Sequence, residues 1–452
     1  MPADSESSIA PETPELVERP PGRRKRRWQF RMAAVILGAL LAETVSFLTL
    51  AILEGTDAIV EQRWLQGKIA QGTPSKGETN ETIHPYTGWS FNPQVGSQQV
   101  IEGREVPVNR LGLLDDGLSI VSRTKGRVAI AIVGGSVAWQ VSVLGEERLR
   151  KVLLADPIFY GKEIDIVRLA LPGQKQPQQL MTMAWVQSLG AEFDVVVNVD
   201  GYNEAVLAIH DNHKNGVNMA YPRAWHARTL DIVEAREFSD SYELLRIRGT
   251  RQRLAREALG SSIWWSPTYQ LVWRLRHNSL EADRARLRVK LMHGHYEVNG
   301  RGYVAAGPIE KFANDTEADA AAVELWLRCS VQLHRLVTGD GAVYVHALQP
   351  NQYLPGSKPL SKLEAKNFHS TTAPEGKTIS RLYPRMIATG ARLREKGVCF
   401  YDLTSIFEDV PETLYVDWCC HYNAVGNEML AEHVAASILD AMADRLTGSP
   451  VD

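Results

Sequence analysis

Ser136 closes the run Val133-Gly134-Gly135-Ser136 directly after a short apolar stretch, and Asp417 and His421 stand together just ahead of the last helical segment. A serine hydroxyl is too weak to attack an acyl carbon unless a base takes its proton, and a histidine held by a carboxylate is the usual base. Two further turns carry groups that can meet the negative charge created by such an attack. Gly173, in Leu171-Pro-Gly-Gln174, can present a backbone N–H, and Asn203, in Gly201-Tyr-Asn-Glu204, can present a side-chain amide. The N–H of Ser136 itself, at the start of a helix, is a third donor. Each signal alone is weak, because Gly-Gly-Ser turns are commonly caps, Pro-Gly marks only a turn, and a lone Asn commonly caps a loop. Taken together and in this order they specify acyl transfer through a serine.

The elements that must position these groups are legible from the apolar pattern. Runs at 128–133, 164–171, 193–199, 342–348 and 398–403 are short, continuous and separated mostly by helical patterns, and the last helix is expected over about 424–445. Continuous apolar runs suit strands buried on both faces, so the pattern predicts an α/β fold with a central parallel sheet and right-handed crossovers. Ser136, Gly173 and Asn203 each follow one of the first three runs. That is where an open α/β sheet places its ligand crevice.

Gly-Gly-Ser at 134–136, Gly173, Gly-Tyr-Asn-Glu at 201–204 and an Asp closely followed by His421 resemble the four sequence blocks of the SGNH/GDSL hydrolases, over roughly residues 126–445 apart from an insertion. The lead-in, GWSFNPQ with VNRLGLLDDG, is similar to that of membrane-tethered bacterial members. The resemblance implies a flavodoxin-like three-layer α/β/α sandwich, with Ser136 as nucleophile, His421 as general base, and Ser136, Gly173 and Asn203 as the oxyanion hole. It implies an acyl-ester substrate, an acylated glycan or envelope lipid, and no cofactor. Two positions depart from the family pattern. Gly135 replaces an Asp, and the acid lies four residues before the histidine, at Asp417, where the family spaces it three before and this chain has Trp418. Either a local bulge lets Asp417 reach the imidazole or a backbone carbonyl orients His421 in a Ser–His dyad. An α/β-hydrolase elbow fits less well, since GxSxG requires a glycine where this chain has Ala138.

The rest of the chain sets the location. The basic run 23–27 and Arg31 precede an apolar stretch, 32–53, long enough to cross a bilayer. With positive charge held inside, everything after Glu54 is expected outside the cytoplasm, in the periplasm of a cell whose inner membrane carries the single anchor. Residues 1–31 then read as a disordered basic tail, 54–126 as a linker and lead-in, and 127–447 as the catalytic domain, with a helical insertion at about 210–310. Glu43 lies within the apolar stretch, facing a helix partner or simply tolerated. Trp264, Trp265 and Trp273, inside the insertion, suit a lid, a membrane surface or ordinary core.

A net charge of −3 argues against a global basic field for nucleic acid. Four cysteines, Cys329, Cys399, Cys419 and Cys420, exclude a disulfide scaffold, and the vicinal pair is able to join Cys399. No CxxC occurs, and His210 with His213 is the nearest approach to a metal set, so no metal is expected. Three functions remain open: an esterase, an O-acyltransferase acting on a polysaccharide with the same residues, and a silent SGNH-like domain that binds glycan or a membrane partner.

Overall fold

The structure, a computed structural model, describes residues 22–70, 81–93, 98–115, 117, 120–229, 239–293, 303–308 and 310–447. They fall into two compact units, one of residues 1–72 and 250–281 and one of residues 73–249 and 282–452.

In the larger unit, two antiparallel hairpins precede the sheet: β1 (Glu81–His84) with β2 (Gly88–Phe91), and β3 (Gln98–Ile101) with β4 (Arg104–Pro107). The sheet consists of β5 (Arg127–Gly134), β6 (Glu163–Arg168), β7 (Val195–Asp200), β8 (Val343–Leu348) and β9 (Cys399–Asp402). Its order is β6-β5-β7-β8-β9, and every neighbouring pair is parallel. β7 and β8 are buried at every position and β5 at every position but Arg127, which is why these strands read as unbroken apolar runs.

The order fixes where the helices go. The chain steps one way from β5 to β6, through the helices Ser136–Leu144 and Glu146–Leu154, and the other way in every later crossover. Right-handed crossovers in opposite directions place their helices on opposite faces. Accordingly the final helix, Ala424–Thr447, packs on Ser136–Leu144 and Glu146–Leu154, whereas Asp315–Gly339 and Pro374–Glu395 pack on each other and on the helix Asn203–Asn212. The reversal point lies between β5 and its neighbours. Ligands of open sheets bind there, outside the carboxyl ends of the strands.

The expected linker, 54–126, is more ordered than its broken apolar pattern implied. Trp89 and Phe91 of β2 and Leu113 and Leu114 join the main core. Arg228 pairs with Glu81 and lies 4.4 Å from the Trp89 ring centre, and the buried Arg168 pairs with Asp115 and Glu146. Sparse apolar residues hid these hairpins, because two-stranded elements depend on what they pack against and not on their own periodicity.

In the smaller unit the helix Gly22–Glu54 contains a stretch, Arg27–Glu54, with mean hydropathy 2.1 in its most apolar window, long and apolar enough to cross a membrane. It starts ahead of Met32, so the basic run is helical and not part of a disordered tail; the remainder of that expected tail, 1–21, lies outside the described residues. Glu43 has a partner. Its carboxylate accepts from the Ser266 hydroxyl at 2.6 Å and the Thr268 N–H at 3.0 Å.

The expected insertion is divided between the units, since its residues 250–281 belong with the N-terminal helix. There Trp273 packs with Ile69, Ala255 and Ala258, and Arg63 donates to the carbonyls of Ala258 and Leu259 at 2.8 Å each. Trp264 and Trp265 are exposed. Of the three tryptophans, only Trp273 is core.

Candidate active site

Ser136 begins a helix directly after β5, and the two glycines before it are both required. Gly134 has φ +146°, and a Cβ there would lie 2.2 Å from the Val199 carbonyl oxygen of the neighbouring strand. A Cβ on Gly135 would lie 2.2 Å from Asn203 Nδ2. The second contact requires glycine at position 135, because the Asn203 amide occupies the space a side chain would need.

Asn203 is fixed by a hydrogen bond from Nδ2 to the Gln174 carbonyl, 2.6 Å. An amide nitrogen has two hydrogens, so one is held and the other stays available beside Ser136. Gly173, φ +85°, forms the turn just before Gln174, and a Cβ there would meet the Arg223 guanidinium at 2.8 Å. The Ser136, Gly173 and Asn203 positions thus converge at the carboxyl ends of β5, β6 and β7.

Glu204 ties these turns together and was not singled out as a site residue from the sequence. Its buried carboxylate accepts from the Gly201 N–H (2.8 Å), the Gln176 N–H (3.1 Å) and Gln179 Nε2 (2.8 Å). Burial, with the Asp200 charge adding to it, pushes its pKa up to about 8 against the pull of those N–H groups. Asp200 in turn accepts from Trp326 Nε1 and Asn198 Nδ2 and meets His346 Nε2, at 2.8–2.9 Å. Arg223 is the other unforeseen neighbour; its Nε lies 3.3 Å from Asp211. A lone Arg in a long insertion carries no sequence signal.

His421 arrives from the other end of the chain. Its Nε2 lies 2.6 Å from Ser136 Oγ and its Nδ1 lies 2.5 Å from Asp417 Oδ2. The four-residue spacing works because the loop wraps around the carboxylate. Asp417 Oδ1 accepts the successive N–H groups of Cys419 (2.9 Å), Cys420 (3.1 Å) and His421 (3.3 Å), leaving Oδ2 for the imidazole. Of the two expected arrangements, the structure therefore has the carboxylate and not a backbone carbonyl at Nδ1. Trp418, three residues before the histidine, is exposed.

The loop is closed by a Tyr415–Tyr422 bridge and a Val416 N–H to His421 carbonyl bond of 3.0 Å. It is braced from the segment after β8, where Asn351 donates to the Cys419 carbonyl (3.2 Å) and Gln352 to the Asp417 carbonyl (3.0 Å). The buried Glu364, paired with Lys358 at 2.8 Å, accepts from the N–H groups of Leu414 and Tyr415. An imidazole held at both nitrogens in this way can take a proton from Ser136 and pass it on.

Burial pulls the His421 pKa down, but the Asp417 hydrogen bond and the nearby Cys419 and Asp417 charges outweigh it, and the net shift is upward from 6.5. Burial opposes ionisation of Asp417 too, yet its hydrogen bonds and the imidazole charge hold it below 3.8. A base works only when neutral. Rate measured as kcat/KM is therefore expected to rise with pH through a midpoint above 6.5, and Asp417, ionised throughout that range, contributes no second step to it. A pH–rate profile with its acid-side midpoint well below 6.5 would contradict the assignment of His421 as base.

His210 and His213 do not converge on a metal site. His210 Nε2 bonds the Thr378 hydroxyl at 2.8 Å, and His213 packs edge-on against Phe312. All four cysteines are free thiols, and no bond joins the vicinal pair to Cys399. The Sγ atoms of Cys419 and Cys420 lie 2.9 Å apart. No protein-family model matches this chain, and no curated protein is similar to it.

Proposed function

We propose that the chain is a membrane-anchored serine esterase of the SGNH type, working on acyl esters outside the cytoplasm. The observation that carries this reading is the line Ser136 Oγ, His421 Nε2 and Nδ1, Asp417 Oδ2, two consecutive contacts of 2.6 and 2.5 Å, the first of them between residues 285 apart in sequence. The strand order, which corresponds to the 2-1-3-4-5 order of flavodoxin-like sheets, favours the same family. So does the placement of Gly173 and Asn203 on the two turns beside Ser136.

In this mechanism Ser136 Oγ attacks the ester carbonyl while His421 Nε2 takes its proton, and the N–H groups of Ser136 and Gly173 and the free Asn203 amide hydrogen receive the oxyanion. The imidazolium, stabilised by Asp417, returns the proton to the departing alcohol and leaves an acyl-enzyme. Water then adds with His421 again as base, releasing the acid and restoring the serine. A sugar hydroxyl in place of water would make the same site an O-acyltransferase.

Short p-nitrophenyl esters test the reading. The wild-type chain should hydrolyse them, and Asn203→Ala should lower kcat by about 100- to 1000-fold, the usual loss for one oxyanion donor. Full turnover in that variant would remove Asn203 from the hole. No turnover by wild type, with no acyl transfer to added sugar, would favour a silent binding domain. Its anchor is expected to be the apolar helix, with acylated glycan or envelope lipid within reach of the periplasmic face.

A further inference from the structure

The sulfurs beside the proposed base have a use of their own. Cys419 and Cys420 occupy consecutive positions immediately before His421, their Sγ atoms are 2.9 Å apart, and both backbone N–H groups donate to the same Asp417 oxygen that anchors the loop. We propose that Cys419 and Cys420 are a modification site: they join in a vicinal disulfide, an eight-membered ring that braces the Asp417–His421 loop in its working conformation.

The alternative partners are poorly placed. Cys399 opens β9, the outermost strand, level with Val345 of β8 and near Asp440 and Asp444 of the final helix, whereas the His421 loop lies beyond the carboxyl ends of the strands beside Ser136. Cys329 is buried in the helix Asp315–Gly339. The two sulfurs stand 2.9 Å apart, about 1 Å from bonding distance, so closing the ring asks movement only of these two side chains and the peptide between them.

The chemistry also has a direction. Hydrogen bonding to Cys420 lowers the Cys419 thiol below its ordinary range, while burial pushes Cys420 well up. Cys419 is half-buried and Cys420 buried. The Cys419 thiolate therefore attacks an external disulfide, of a protein or a small molecule, forming a mixed disulfide and expelling one thiolate. Cys420 then loses its proton and attacks the Cys419 sulfur, expelling the second thiol. Overall two protein thiols are oxidised to one disulfide and the external disulfide is reduced to two thiols. An extracytoplasmic compartment supplies such oxidants.

Once closed, the ring holds the backbone of both residues, and with it the two N–H groups that keep Asp417 aimed at the imidazole. The covalent claim rests on the extracytoplasmic placement proposed above and not on the esterase chemistry; its effect on catalysis rests on both.

The test uses the full chain purified from membranes without reductant, carrying Cys329→Ala and Cys399→Ala so that only the vicinal pair remains. After denaturation, treatment with iodoacetamide and digestion, the Cys419–Cys420 peptide should be unalkylated and lighter by two hydrogens, and should take two alkyl groups after reduction. Labelling of Ser136 by a fluorophosphonate should slow about 10-fold on reduction, a fraction of what a displacement of about 1 Å can cost. Alkylation of both cysteines without reductant, or linkage between two chains, would overturn the disulfide. An intact ring with a labelling rate indifferent to reduction would overturn the bracing role. An intact ring with no Ser136 labelling at all leaves the modification standing and counts against the esterase reading.

Discussion

His421→Ala is expected to reduce ester hydrolysis by about 10⁶-fold, the scale on which loss of the base from a serine triad removes turnover. The basis is positional. His421 Nε2 is the group bonded to Ser136 Oγ, at 2.6 Å, and no other imidazole among those described approaches that oxygen. The fold should survive the change, because the loop is held by the Asp417 carboxylate on backbone N–H groups, the Tyr415–Tyr422 bridge and the donors Asn351 and Gln352. A circular-dichroism melt matching wild type, together with the lost rate, is the expected pair of results. A variant with only a few-fold lower rate would show that some other group takes the proton.

Asp417→Asn should cost about 10⁴-fold in kcat, through the tautomer and not through the position of the ring. Asp417 uses Oδ1 to cap three N–H groups and Oδ2 to meet His421 Nδ1. Asparagine can keep the first role with its single carbonyl oxygen, which leaves its NH₂ facing Nδ1. That nitrogen must then accept, and the proton moves to Nε2, the atom that should receive the serine proton. Asp417→Ala removes the caps as well and should lower stability in addition to rate. Comparing the two by kinetics and thermal melting separates tautomer control from loop support. Equal stability losses in both would contradict the division of labour between the two oxygens.

The readable part of this chain was the part whose signal is local. Val128–Val133 had to be a strand because an unbroken apolar run between glycine turns suits two buried faces, and the structure places it within β5. The turns at Gly134–Ser136, Gly173 and Asn203 were legible for the same reason: each ends a run, and glycine at a left-handed or crowded position leaves a mark in sequence.

What escaped depended on contacts between distant residues. The hairpins before the sheet are held by Trp89, Arg228 and Arg168, none of which is periodic. Residues 250–281 join the N-terminal helix through Ser266 and Glu43 and the following helix, Ala58–Ala70, through Trp273 and Ile69, pairs more than 200 residues apart. Glu204 sat in view beside Asn203, yet only the structure shows that it receives backbone N–H groups from two turns and the side-chain amide of Gln179. The spacing of Asp417 could not be settled by counting, because a loop wound around a carboxylate adds a residue without moving the oxygen away from the ring.

The most direct measurement is mass-spectrometric mapping of a fluorophosphonate adduct on the intact chain, compared between wild type and His421→Ala. A single adduct on Ser136 in wild type, lost or slowed by orders of magnitude without the imidazole, is the result expected of an activated serine. An unlabelled Ser136 in folded wild-type protein, or labelling that ignores His421, would contradict it.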